Sequence, residues 1–247
     1  MNPDPKSNQF SDNQSLIAAV RAGEFLPNQR ITSTIVQGQQ LWVKRPEKLG
    51  LIRYLQKGNA AKSFAIEQAA HIRFEAAGLP VPKIIAYASD FTICTDSGQN
   101  LKHLFHILPA DEFSRRLTQA ALALATFHNR SHYHGRPSLK DICWDGNEIR
   151  FLDFERAHAH RDVNHGIAQD LIMFVFNVFA VAKGPCEPLS KAIAAYREET
   201  DPAIWQNAQT MCHRYRWLSP ATWPIRRMRR AWEFKAIPHT LHFFATH

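Results

Sequence analysis

The chain has 247 residues, enough for one mid-sized domain or two lobes with a sizeable core. Hydrophobic residues at 45% and aromatics at 11% exclude general disorder, leaving only the polar opening 1–14 as a flexible N-terminus. A net charge of +8 and a pI near 9.5 point to a polyanionic partner: nucleotide, nucleic acid, phosphorylated glycolipid or an anionic membrane face. Cys94, Cys143, Cys186 and Cys212 form no CxxC pair, which argues against zinc and for reduced thiols in a cytosolic protein. The first residues hold no charged stretch followed by an apolar one, so no secretory signal is expected.

In chain order, residues 14–22 predict a short helix, and QRITSTIV and QLWVKR predict two strands turning near Gly38. Apolar residues at helical spacing over 60–77 end at Gly78, with Pro80 and Pro82 beyond. KIIAYAS and FTICT predict two more strands, and DSGQN at 96–100 reads as a linker. Residues 111–130 then predict a long amphipathic helix with Asp111 as its cap. A hairpin turning at Asp145-Gly146 follows, then a buried helix over about 167–182, whose run LIMFVFNVFAVA is too short to span a bilayer. Helices near 186–199 and 201–216 precede a Trp- and Arg-rich tail in which Pro220 and Pro224 break any single long helix.

The most informative stretch is 134–155, HGRPSLKDICWDGNEIRFLDFE. It sets His134 and Asp141 seven apart, turns through a hairpin, and reaches Asp153 after an apolar run. Kinases need this layout: a catalytic loop holding one metal ligand, then a short strand that delivers a second acid to the same cation. Against the pattern H-x-D-x-x-x-x-N followed by Asp-Phe-Gly, Arg136 occupies the base position, Asp141 the Asn position, and Asp153-Phe154-Glu155 replaces Asp-Phe-Gly. The stretch resembles the lipopolysaccharide core kinase family of atypical bacterial kinases, related to RIO-type and aminoglycoside phosphotransferase-type kinases. It keeps the His134-Gly135 of their HGD loop and replaces its Asp with Arg136. The resemblance runs from about Ile31 to Asp170 and is specific only in this loop.

That resemblance implies an α+β, bilobal protein-kinase-like fold, with a β-rich N-lobe over 15–97 and a helical C-lobe over 98–247. It implies ATP with Mg²⁺ or Mn²⁺, a lipopolysaccharide core sugar as acceptor, and a cytoplasmic protein at most peripheral to the inner membrane. Lys44, at the end of LWVK, takes the place of the strand lysine that pairs nucleotide phosphates, and Glu67 that of the helix glutamate holding it; Glu75 sits too near Gly78. Lys44 as a surface residue beside Arg45 is the alternative. No G-x-G-x-x-G precedes Lys44, leaving Thr32, Ser33 and Thr34 at the expected hairpin tip as phosphate contacts.

Asp141 and Asp153 are the metal candidates, since two carboxylates favour a hard cation. Glu155 is either a third ligand or a replacement for Gly. Arg136 stays protonated and cannot act as a base; it either neutralises charge on a transferring phosphoryl group or bridges Asp170 or Glu155. His134 packs the loop, with a minor role as a base left open. Asp170 matches the acid that kinase folds use to hold the catalytic-loop backbone. The remaining histidines, among them His128, His132, His158, His160, His239 and His242, lack metal-site spacing and read as packing or surface residues.

The tail from His213 to Lys235 carries seven Lys or Arg against one Glu, with Trp217, Trp223 and Trp232 interleaved. It suits a membrane interface or glycolipid, nucleic acid stacked on tryptophan, or a solvated helix with buried tryptophans. Three readings follow: a phosphotransferase, a pseudokinase that binds without transferring phosphate, and a RIO-like protein kinase.

Overall fold

The computed structural model describes residues 13–22, 29–47, 60–158, 162–228 and 231–247. The expected flexible start (except for residues 13 and 14), His160, Arg229 and Arg230 lie outside the described residues. The fold is mixed α+β and divides into two compact units, Met1–Ser97 and Gly98–His247.

In the first unit, helix α1 (Asn13–Arg21) is followed by β1 (Ile31–Val36), β2 (Gln39–Lys44), α2 (Ala60–Ala76), β3 (Ile84–Ala88) and β4 (Phe91–Thr95). The strands form one antiparallel sheet in the order β1-β2-β4-β3. Strand alternation sorts β2: Leu41 and Val43 are buried, whereas Trp42 and Lys44 emerge on the opposite face. Leu41 and Val43 join Leu16, Ala19 and Val20 of α1 and Phe91 and Ile93 of β4 in one apolar core. Helix α2 buries Phe64, Glu67, His71 and Phe74, a stripe at three- and four-residue spacing. Gln68 of α2 donates to the Ala88 and Phe91 carbonyls at 2.9 and 3.0 Å, tying the helix to the β3–β4 turn.

Thr32, Ser33 and Thr34 are not at a hairpin tip. They lie within β1 opposite Val43, Trp42 and Leu41, and the turn falls at Gln37-Gly38. The cause is length, because six residues pair on each side before the chain reverses.

The second unit holds β5 (Gln99–Asn100), α3 (Leu101–Ile107), α4 (Ala110–Asn129), β6 (Ile142–Trp144), β7 (Ile149–Phe151), α5 (Val163–Ala182), α6 (Glu187–Glu199), α7 (Pro202–Arg214), α8 (Leu218–Ala221), α9 (Trp223–Arg226) and α10 (Trp232–Thr246). The expected linker 96–100 ends in β5, which pairs with β6, and β6 pairs with β7. Asp111 does not cap α4: Pro109 holds that position, and Asp111 sits in the first turn, 3.3 Å from Arg115. Helix α5 begins four residues before the expected position, with Asp162 accepting from the Asn164 N–H at 3.0 Å. It is long and apolar enough to cross a membrane by length and composition, yet half of its apolar window is buried inside the protein. Helix α10 packs on α5 and α7, burying Phe243 and Phe244, and Phe244 lies 4.8 Å from the Trp205 ring. The basic tail therefore ends in a core helix, and removing it would open the second unit.

Candidate functional site

In the first unit, Lys44 and Glu67 form an ion pair, with side chains 23% and 10% exposed. The arrangement follows from local structure: Lys44 ends β2 on the face opposite the α1 core, and Glu67 lies on the buried stripe of α2. Glu75 is engaged elsewhere, accepting from the Ile84 N–H at 3.1 Å. Cys94 lies opposite Trp42 on β4, and burial pushes its thiol up to about 11, so it stays protonated near this pair.

In the second unit the site is built on the 134–155 stretch. Asp170, fully buried on α5, receives the His134 backbone N–H on one oxygen and the Gly135 N–H on the other at 2.8 Å. A carboxylate that accepts two adjacent amides fixes the direction of the chain between them. Gly135 has φ +94°, and a Cβ there would stand 2.3 Å from the Arg156 carbonyl oxygen, so only glycine fits. His128 of α4 also reaches this cluster, with Nε2 3.6 Å from Asp170 and Nδ1 2.5 Å from the Tyr196 hydroxyl.

His134 is committed to structure at both ring nitrogens. Nε2–H donates to the Leu152 carbonyl at 2.8 Å, and Nδ1 accepts from the Arg136 N–H at 3.3 Å. Its ring packs 5.6 and 5.4 Å from those of Phe151 and Phe154, and burial holds its pKa below the usual histidine value. A neutral imidazole with its lone pair already accepting a hydrogen bond is unsuited to take a substrate proton.

The hairpin brings the two acids to one end. Ile142 pairs with Phe151, and one step further the Leu152 N–H donates to the Asp141 carbonyl at 2.8 Å, so Asp141, just before β6, and Asp153, just after β7, leave the ladder at the same end. Asp141 is 8% exposed, and its carboxylate lies 3.8 Å from Lys140 Nζ. Asp153 has φ +68°, a left-handed conformation costing about 1–3 kcal/mol in a non-glycine residue and held only where its surroundings impose it. Its Oδ2 lies 3.3 Å from Arg136 Nη2, while Oδ1 is buried with no hydrogen-bond partner among the described residues. Arg136 thus bridges Asp153. Glu155 is exposed in the turn after Phe154, and among the described residues no three His, Cys, Asp or Glu side chains group closely enough to hold a metal unaided.

Two features here escaped the sequence. Helical spacing did mark the face of α4 bearing Leu117, Leu124 and His128, but nothing on that face signalled His128 beside Asp170. The left-handed backbone at Asp153 has no local sequence signal beyond the tolerance of Asp for that region.

No protein-family model matches the chain. It is similar to a Haemophilus influenzae protein described as uncharacterized, 28% identical over 193 residues, which cover 77% of this chain and 80% of the relative. That description names no activity, so a functional reading has to come from the residues themselves.

Proposed function

We propose that the chain is an ATP- and divalent-metal-dependent phosphotransferase with a bilobal kinase-like fold, acting on a polyanionic glycolipid such as lipopolysaccharide core sugar. The observation that carries the reading is Asp153. Its strained backbone presents a carboxylate with one oxygen on Arg136 and the other buried and without a partner among the described residues, which suits a cation ligand. Mg²⁺ commonly takes only one or two protein carboxylates and completes its shell with phosphate and water, so Asp141 and Asp153 fit it without a third acid. When bound, the cation would offset charge on the phosphate oxygens. The Lys44–Glu67 pair supports the same reading in the first unit, as a lysine oriented for nucleotide phosphates.

In the reaction, the bond between the γ-phosphorus and the bridging oxygen breaks, a bond forms from an acceptor hydroxyl to phosphorus, and ADP leaves. Arg136 cannot take the hydroxyl proton and His134 has no lone pair to offer, so the proton passes to solvent or a phosphate oxygen. Arg136 donates to Asp153 and, within reach of a phosphoryl oxygen, would stabilise charge spread over the transferring group. The net charge of +8 supports an anionic acceptor.

One observation favours a second reading. The Arg136–Asp153 ion pair already neutralises a candidate metal ligand, as a pseudokinase binding nucleotide without metal would require. Thermal unfolding with ATP and Mg²⁺ or Mn²⁺ separates the two. Saturation at about 100 times Kd stabilises by about 2.7 kcal/mol, or roughly 5–10 °C for a chain of this size. Asp153→Asn is expected to abolish the metal-dependent part. A shift equal with and without metal, unchanged in Asp153→Asn, supports the pseudokinase; no shift under any condition refutes both.

A further inference from the structure

Six of the twelve exposed large apolar side chains among the described residues fall between Tyr215 and Phe234. Trp217 is 58% exposed, Trp223 55% and Met228 64%. Ordinary surface helices turn an apolar stripe inward, but α8 and α9 bury no residue, and between His213 and Met228 only Thr222 is buried. The segment is nonetheless ordered: the Thr222 hydroxyl donates to the Leu218 carbonyl at 2.7 Å and Arg226 to the Ser219 carbonyl at 2.8 Å. Contacts of α8 and α9 with the core helix α10 anchor it. A structured surface that keeps tryptophan, isoleucine and methionine in water has a partner to cover them.

Charge selects that partner. From residue 202 to 232 the sequence has six arginines and no Asp or Glu. A second copy would bring the same arginines to the interface, so self-association on this face is opposed electrostatically. Nucleic acid would stack on open aromatic faces, yet within this face Arg227 lies over the Trp223 ring at 4.6 Å, leaving Trp217 for a base. Ile225 and Met228 would also gain nothing from a phosphate backbone. An anionic bilayer satisfies every group: arginines meet headgroup phosphates, tryptophans sit at the headgroup level, and Ile225 and Met228 enter the acyl boundary.

We infer that the α8–α9 face, residues 213–228, docks the protein onto an anionic phospholipid bilayer. Binding is measured without nucleotide, so it stands apart from phosphoryl transfer. The full chain is mixed with phosphatidylcholine vesicles, with or without phosphatidylglycerol, and followed by co-sedimentation and tryptophan emission. Binding is expected only with phosphatidylglycerol, with a blue shift, and is expected to weaken steeply as salt rises from about 0.05 to about 0.5 M. Trp217→Ser with Trp223→Ser should lower the partition coefficient roughly tenfold through lost insertion. Arg216→Gln with Arg227→Gln should lower it roughly tenfold or more through lost charge. All four positions are exposed, so the melting temperature should hold, and should one pair misfold, the other reads the same face. Equal binding by both double variants overturns the inference. So does a single-stranded RNA that binds this face while vesicles do not, or a concentration-dependent dimer lost in the tryptophan variant with no lipid binding.

Discussion

Replacing Asp170 with Ala tests the central joint of the loop. The carboxylate is fully buried and accepts the backbone N–H groups of His134 and Gly135. With a methyl group in its place, both donors stay buried and lose their acceptor, at about 1–3 kcal/mol each, so about 2–6 kcal/mol in all. For a chain of this size each kcal/mol moves the melting temperature by about 2–4 °C, giving a fall on the order of 10 °C. Asp162→Ala serves as the comparison, because Asp162 caps the same helix in solvent, accepting from the Asn164 N–H, and its loss costs about 1 kcal/mol. Thermal unfolding of both variants gives the ranking, and amide exchange locates the damage: the Gly135 N–H should be protected in the wild type and exchange freely in Asp170→Ala. If Asp170→Ala melts no lower than Asp162→Ala, or Gly135 stays protected, Asp170 does not hold the loop.

Two further outcomes follow from the buried groups. His134 and His71 are held below their ordinary pKa by burial, so the unfolded chain binds more protons than the folded one as pH falls below about 6.5. Stability is therefore complete above that value and is lost as pH falls toward the folded pKa values; denaturant midpoints from about pH 8 to about pH 5 should decline, and a flat profile would refute the burial argument. Glu67→Gln removes the anion from Lys44, and ATP affinity measured by calorimetry should weaken roughly tenfold, while an unchanged Kd would detach this pair from nucleotide binding.

Much of the site was legible because its chemistry is local. His134-Gly135, the spacing to Asp141, the Asp145-Gly146 turn and the strand leading to Asp153 lie within one stretch, and each constrains its neighbours through turn type and ladder register. Lys44 and Glu67 were legible for a related reason: strand alternation and helical spacing fix which face each residue occupies. What stayed hidden depends on distant partners. The arginine at position 136 was visible, but its attachment to Asp153 needed the fold. Helix α3 is only seven residues long, held by Asn100 accepting from the His103 N–H at 2.9 Å, too short for a periodic signal. Helix α10 runs through Pro238, a residue that removes one helical hydrogen bond, and the packing of Phe243 and Phe244 against Trp205 stabilises it. Thr32 to Thr34 show the converse, where reading hydroxyls as a phosphate loop ignored the length of the pairing that holds them in mid-strand.

The claim that this chain transfers phosphate is tested most directly by following label from γ-phosphate-labelled ATP into lipopolysaccharide and into total cell protein, with Mg²⁺ or Mn²⁺, in wild type, Asp153→Asn and Arg136→Lys. The account predicts label in lipopolysaccharide with the wild type, none with Asp153→Asn, and a reduced rate at similar ATP affinity with Arg136→Lys, which keeps the charge but loses the planar fork. Absence of label in every acceptor under both metals, with nucleotide binding intact, would contradict it and leave a protein that binds nucleotide without using it.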